Sequence, residues 1–195
     1  MHKIAAFLTD YVMIYGNADA KERSIYEYGF QTALETILSF FLCAMLALRM
    51  DMFREGIFFF LLFIPMRSYA GGMHFEKYIL CLFFSCMTFG GILFLSKRIL
   101  LPRLFYLVIP ALLLIIRLLY PVEHRNRPTD CLEYAFFKKR LVVFLVLDLL
   151  IYLVLLVIRN RNFLNIMLLT LLLLVVTMIV GKISYIRYIG QQTKF

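Results

Sequence analysis

Long apolar blocks alternate with short polar segments along most of the chain. The blocks run over 30–48, 52–66, 78–95, 104–120, 141–158 and 163–180. Most are near the roughly 20 residues that a helix needs to cross about 30 Å of hydrocarbon. The pattern predicts an all-α, polytopic integral membrane protein with about six transmembrane helices. The second block is the shortest, which leaves a short or re-entrant segment as the alternative there.

The N-terminal residues 1–29 are too polar to lie within hydrocarbon. Apolar side chains nevertheless repeat there at helical spacing, at Ile4, Phe7, Leu8, Tyr11, Val12 and Tyr15. Such a stripe predicts an amphipathic helix that lies on the membrane or against the bundle. We therefore predict a single membrane domain over 1–195: an amphipathic segment (1–29), a transmembrane bundle (30–181) and a cytoplasmic tail (182–195).

Composition supports the membrane assignment and limits the function classes. The hydrophobic fraction is 63% and the mean hydropathy is +0.86, whereas soluble domains have roughly 45–50% apolar residues. The net charge of +9 does not indicate nucleic-acid binding, because the basic residues lie at the ends of apolar blocks, as lipid contact and topology require. Six spans would place thirteen lysines and arginines on the side of both termini and seven on the other. This bias predicts cytoplasmic termini.

The polar segment RSYAGGMHFEKYILC, which follows the second block, has the least usual chemistry in the chain. We expect Pro65 to end the preceding helix, because proline lacks a donor and clashes with the turn before it. Gly71 and Gly72 permit a sharp turn. His74 is therefore expected in or near a loop, and Cys81 one turn inside the next helix.

A cysteine and a histidine within reach of each other are what thiol catalysis requires, since the thiolate attacks and the imidazole takes its proton. In a continuous helix, His74 and Cys81 would lie about 10 Å apart along the axis, so the glycines must fold His74 back. The amides of Gly71 and Gly72 are then candidate oxyanion donors. An interfacial histidine and a packing cysteine remain the alternatives. Adding Cys86 as a third ligand matches no common metal site, so we predict no metal.

These residues match a known signature. Arg67, Ala70, Gly71, Gly72, His74 and Cys81 resemble the R-x-x-A-G-G-x-H-x6-C motif of the accessory gene regulator B (AgrB-like) family. The resemblance continues in Pro121-Val122-Glu123, Asn126-Arg127-Pro128 and the basic run Lys138-Lys139-Arg140. The chain length, the block layout and the amphipathic N-terminus are similar as well, so the resemblance covers essentially the whole chain.

The resemblance implies a function. Members of that family are endopeptidases of the bacterial cell membrane that act on a short quorum-sensing precursor with an amphipathic leader and an acidic tail. By resemblance, His74 is the general base, and Cys81 is the nucleophile that releases the tail and holds the remainder as a thioester. A Cys or Ser of the precursor then closes the thiolactone or lactone ring of the autoinducing peptide, without a metal or other cofactor.

Several further residues are candidates for substrate contacts. They are Arg67, Gly71, Gly72, Lys138, Lys139, Arg140, Glu35 and Gln31. The basic run suits an acidic tail, with a positive-inside anchor as its alternative, while the polar pair at the start of the first block could orient His74 or simply lie at the interface. The expected partners are the precursor peptide and the lipid bilayer but no nucleic acid, and a homodimer is compatible with the sequence.

Asp148 lies in the middle of the fifth block, where an ionised carboxylate costs roughly 2.5–3.5 kcal/mol. We expect it to be buried and either paired or protonated. With the short, proline-ended second block, it keeps a small transporter or channel as an alternative. A membrane assembly subunit without peptidase chemistry is another. The HExxH and GxSxG motifs of zinc and serine hydrolases do not occur.

Overall fold

The computed structural model describes residues 2–15, 23–71, 78–99, 101–121 and 131–192. Helices follow one another along these ranges, and no strand occurs among them. They are α1 (His2–Tyr15), α2 (Arg23–Arg49), α3 (Phe53–Ala70), α4 (Tyr78–Arg98), a 3-10 helix (Arg103–Leu107) that leads into α5 (Val108–Leu119), α6 (Cys131–Ile158) and α7 (Arg161–Gln192).

Four of these helices, α2, α4, α6 and α7, are long and apolar enough to cross a membrane. The all-helical membrane fold predicted from the sequence is therefore confirmed for the described residues. α3 has 18 residues, or about 27 Å of helix, and it carries Arg54, Glu55 and Arg67. α5 has 12 residues but continues a 3-10 helix of 5. The crossing of the bilayer by these two elements, and with it the number six, remains a prediction.

Pro65 does not end α3, contrary to the expectation from the sequence. The helix continues through Ala70 and ends at Gly71, whose φ is 80°. An internal proline is tolerated in membrane helices when neighbouring helices pack around the freed backbone, and α3 packs against α2, α4, α6 and α7. As a result, Arg67 and Tyr69 lie on the last turns of a helix and not in a loop.

α2 and α4 lie parallel to each other, with α3 returning the chain between them. The hydroxyl of Tyr78, at the start of α4, donates to the carbonyl oxygen of Glu35 at 2.9 Å. Farther along the same pair, Gly90 lies directly against Leu46, so that an added Cβ would be 2.8 Å from its Cδ2 atom. Both contacts join residues about 43 positions apart, as two parallel helices in constant register require.

The bundle has two distinct ends. One, called here the Cys81 end, holds the starts of α2, α4 and α6 and the ends of α3, α5 and α7. The opposite end is closed by a polar cluster around Asn165. Its amide donates to the carbonyls of Ser96 at 2.8 Å and Ile99 at 2.9 Å, and its carbonyl accepts from the hydroxyl of Tyr106 at 2.8 Å. These satisfied groups tie α4, α5 and α7 together away from the site.

α7 is the centre of the packing. It contributes to one apolar core with α3, α5 and α6 and to a second with α2, α3 and α4. Met167 and Leu171 are fully buried in the first core, and Ile166 is fully buried in the second. In a bilayer, such cores are held mainly by close packing. α7 also continues through Gln192, so most of the segment predicted as a tail is helical.

α1 packs on α2 with Ala5 and Thr9 buried, and Asp10 forms an ion pair with Arg23 at 2.7 Å. Its other face exposes a row of apolar side chains, at Ile4, Phe7, Tyr11 and Ile14. The predicted N-terminal helix is therefore present. One of its faces packs on α2, and the other exposes apolar side chains. α2 begins at Arg23, inside the segment predicted to precede the bundle.

Candidate active site

Cys81 lies in the first turns of α4, at the Cys81 end of the bundle. Its side chain is half-buried and its sulfur is a free thiol. The neighbouring Ile79 and Leu80 are exposed, whereas Cys81 is half-buried. A partly accessible cysteine suits a reactive group better than a fully buried packing residue does.

Arg67 connects the end of α3 with Cys81. Its half-buried guanidinium donates from Nη1 to the carbonyl oxygen of Gly71 at 3.1 Å, and its positive charge acts on Cys81. Because a guanidinium carries several donors in a fixed plane, it can hold this carbonyl in a defined direction. Arg67 therefore stabilises the exit from α3 at Gly71.

Gly71 makes the exit from α3 possible. Its φ of 80° and ψ of −165° fall in a region that is essentially restricted to glycine. Its amide N–H donates to the carbonyl oxygen of Arg67 at 3.2 Å, so this amide is already used and does not point free as an oxyanion donor. Gly72 and His74 lie outside the described residues, and their predicted roles stay predictions.

Glu35 and Gln31 lie on α2 beside the start of α4. Gln31 donates from Nε2 to Oε1 of Glu35 at 3.0 Å, and both side chains are half-buried. Tyr78, three residues before Cys81, donates to the backbone of Glu35 at 2.9 Å. The structure thus brings this predicted polar pair to the Cys81 end. Tyr78 was missed by sequence reasoning, although a tyrosine that opens an apolar block is a typical interfacial residue.

Cys43 and Cys86 lie deeper in the bundle than Cys81. Cys43 on α2 is buried, and its thiol interacts with that of Cys86 on α4. Cys86 packs against the second apolar core, as expected of a packing residue. Among the described residues, no three His, Cys, Asp or Glu side chains are grouped so as to hold a metal ion.

The basic run at the start of α6 does not form one patch. Lys138 lies with its Nζ 5.7 Å from the ring centre of Tyr134, and Arg140 has its guanidinium 5.3 Å from the ring centre of Phe136. Positions two apart on a helix point in nearly opposite directions, so these two cations face different neighbours. Lys139 lines the same surface groove as Lys138.

α6 lies next to α3 at this end of the bundle. The ring of Tyr69 stacks on Phe144 at 5.5 Å and meets Phe137 at 6.0 Å. The end of α3 therefore lies between the region of Cys81 on one side and the basic start of α6 on the other. Farther into α6, Asp148 is 4% exposed and its Oδ2 atom has no hydrogen-bond partner among the described residues, so its predicted burial is confirmed.

Neither a comparison with curated protein sequences nor a comparison with solved structures gives a match for this chain. Among protein families, the model of accessory gene regulator B matches residues 1–178. That range includes all of the described site residues and the basic run. It covers most of the 195 residues, and so the chain belongs to the accessory gene regulator B family.

Proposed function

We propose that this protein is a membrane cysteine endopeptidase that removes the C-terminal tail of a quorum-sensing precursor and enables its cyclisation. Cys81 is the nucleophile and His74 is the general base. Family membership supports a role in processing such a peptide. The observation that carries the chemical assignment is the position of Cys81, a half-buried free thiol in the first turns of α4, at the same end of the bundle as the exit of α3 at Arg67 and Gly71.

Arg67 is a positioning residue in this proposal. It holds Gly71, the last described residue before the segment that contains His74. Fixing the direction in which the chain leaves α3 limits where His74 can lie relative to Cys81.

The reaction proceeds in two acyl transfers. The sulfur of Cys81 bonds to the carbonyl carbon of the scissile peptide, the C–N bond breaks, and the proton held by His74 passes to the amine of the released tail. A thiol or hydroxyl of the precursor then gives its proton to His74 and bonds to the same carbon, releasing the sulfur of Cys81 and closing the ring. When the precursor supplies a thiol, the second transfer replaces one thioester with another and conserves most of the acyl-transfer free energy.

The membrane surroundings favour cyclisation over hydrolysis. Cys81 lies one turn inside an apolar helix, next to the exposed apolar side chains of α4, where water is scarce and competes poorly for the thioester. A precursor whose leader lies on the same membrane is confined to two dimensions, which raises its effective concentration at the site. Lys138, Lys139 and Arg140 offer cationic groups at the same end for the acidic tail.

The test is co-expression of the full chain with the precursor peptide, comparing the parent with Cys81→Ala and His74→Ala. Cys86→Ala is the matched control, because it removes another thiol from α4 that packs in the core. We expect tail release and a mass-spectrometric adduct on Cys81 in the parent and in Cys86→Ala. Both signals should be lost in Cys81→Ala, and tail release should be lost in His74→Ala.

The contrary result has a clear meaning. If Cys81→Ala still releases the tail, the thiol mechanism is wrong, and the transporter or assembly-subunit alternative takes its place. If Cys86→Ala is as inactive as Cys81→Ala while its melting temperature is unchanged, the nucleophile has been assigned to the wrong cysteine of α4.

A further inference from the structure

A groove runs between α5 and α6 at the Cys81 end of the bundle. Its inner part, of about 170 Å³, is lined by Arg117, Leu118, Tyr120, Tyr134, Lys138, Leu141 and Val142. The hydroxyl of Tyr120 donates to the backbone carbonyl of Tyr134 at 3.0 Å, and the two rings are 5.4 Å apart. This contact holds the ends of α5 and α6 together and makes the floor of the groove a fixed surface.

The polar part of the groove is cationic. Arg117 and Lys138 come from different helices and line the same space. Lys182 adds a third positive charge nearby, since its Nζ lies 3.5 Å from the carbonyl oxygen of Leu119 at the end of α5. No acidic side chain lines the groove among the residues that the structure describes. The charge of the groove is therefore complementary to an anion.

A shallow, open apolar surface continues from this cationic part along the outer side of α6. It is lined by Tyr134, Ala135, Lys138, Lys139, Val142 and Val143. Val142 lies one helical turn beyond Lys138, or about 6 Å farther toward the middle of the membrane. Val143 is 49% exposed and points outward. The groove thus has a charged part at the membrane surface and an open apolar wall at hydrocarbon depth.

We propose that this groove binds an anionic phospholipid, with its phosphate between Arg117 and Lys138 and an acyl chain along Val142 and Val143. Basic pockets between membrane helices bind lipid headgroups through the same combination of charges. Tyr134 orients Lys138 through a cation–π contact at 5.7 Å, so less freedom is lost when the phosphate binds. An acidic peptide would pair with the same charges, but it would leave the apolar wall, which opens toward the bilayer, without an apolar partner.

The site contains neither Cys81 nor Arg67, so its test is separate from the test of the thiol chemistry, although Lys138 is shared with the cationic groups proposed for the acidic tail. With the lipid in this groove, the members of the basic run Lys138-Lys139-Arg140 have different roles. Lys138 faces the lipid groove, whereas Arg140, stacked on Phe136, stays available for other contacts.

The test uses the full chain in detergent, with native mass spectrometry of bound phosphatidylglycerol and phosphatidylcholine. The double variant Arg117→Gln/Lys138→Gln is compared with Arg98→Gln, a matched control in which a cation stacked on Phe94 is removed at the opposite end. We expect the parent to prefer phosphatidylglycerol, and the double variant to bind it about 25-fold more weakly, since each basic residue contributes about fivefold. Arg98→Gln should bind like the parent.

A second measurement needs no variant. A photoactivatable phosphatidylglycerol should label the peptide that spans 134–143, and unlabelled phosphatidylglycerol should compete where phosphatidylcholine does not. Equal binding of both lipids, or unchanged binding by the double variant, overturns the proposal. A glutamate-rich peptide that binds the parent and not the double variant, while phosphatidylglycerol binding stays the same, assigns the groove to acidic peptide instead.

Discussion

At the scale of single residues, Arg67 makes the least replaceable contact of the site. It donates to the carbonyl of Gly71, where the chain leaves α3. Arg67→Lys keeps the positive charge, but a single ammonium group cannot hold the carbonyl in the same geometry. We predict that tail release slows about 10- to 100-fold, since a hydrogen bond to a charged group contributes about 1.5–3 kcal/mol.

The measurement is the initial rate of tail release at saturating and at limiting precursor concentrations. Loss of a positioning contact lowers kcat and leaves KM nearly unchanged. Lys97→Gln at the opposite end is the control for a general loss of positive charge. A normal kcat with a raised KM would show that Arg67 binds the precursor and does not position the site.

The sequence predicted the turn at Gly71 but not the contacts around it. Gly71 was expected at a turn, and it has the backbone angles that require glycine. The use of its amide by Arg67 could not be read from the sequence, because it depends on α3 continuing past Pro65. Tyr78 was not predicted, since its partner Glu35 is 43 positions away and only the parallel packing of α2 and α4 brings them together.

At the scale of helices, the close packing around Gly56 determines how α2, α3 and α4 approach. A Cβ added there would lie 3.1 Å from both the Cβ of Ala47 and the Cζ of Phe89. Small residues at such positions let backbones approach closely in a membrane. We predict that Gly56→Ala lowers the melting temperature by several degrees, because the rigid Cβ of Ala47 has little room to move.

Gly91→Ala is the matched control for this prediction, since nothing lies within 4 Å of the added Cβ. It replaces a helical glycine with a better helix former, which favours folding by roughly 0.5–1 kcal/mol. The melting temperature of Gly91→Ala in detergent should therefore equal or exceed that of the parent. If Gly56→Ala were equally stable, α2 and α3 would not pack as closely as described.

Apolar periodicity located the helices well and their ends poorly. The six predicted blocks all lie on helices, but α2 begins at Arg23 and α7 extends to Gln192, well beyond the apolar windows. A helix continues into polar sequence as long as its backbone hydrogen bonds are satisfied, whereas hydropathy marks only the part suited to hydrocarbon. The prediction that Pro65 ends the helix was wrong because the packing of α3 in the bundle outweighs the local effect of the proline.

At the scale of the whole molecule, the directions of the helices bear on the number of crossings. α2 and α4 are each long enough to span and run parallel, as the Tyr78–Glu35 and Gly90–Leu46 contacts require. If both cross in the same direction, the chain has to return between them, and α3 is the segment available for that return. The same reasoning applies to α5. Asn165 at the start of α7 contacts Ser96 at the end of α4, and α6 ends shortly before α7 begins. The ends of α4 and α6 therefore lie at the same end of the bundle, so the two helices run parallel and α5 is the segment that returns between them.

We accordingly predict six crossings, with both termini and the Cys81 end in the cytoplasm. In a chain whose four cysteines are replaced by alanine, single cysteines are introduced by Asp51→Cys, Asn160→Cys or Arg187→Cys. A membrane-impermeant maleimide added to intact cells should label the first two, which lie in the turns after α2 and α6, and Arg187→Cys only after permeabilisation.

If Asp51→Cys is protected in intact cells while Asn160→Cys is labelled, α2 does not cross as described, and the parallel pairing of α2 with α4 is wrong. If the pattern is reversed throughout, the six crossings stand but the Cys81 end faces outward, and a precursor made in the cytoplasm could not reach Cys81 from that side.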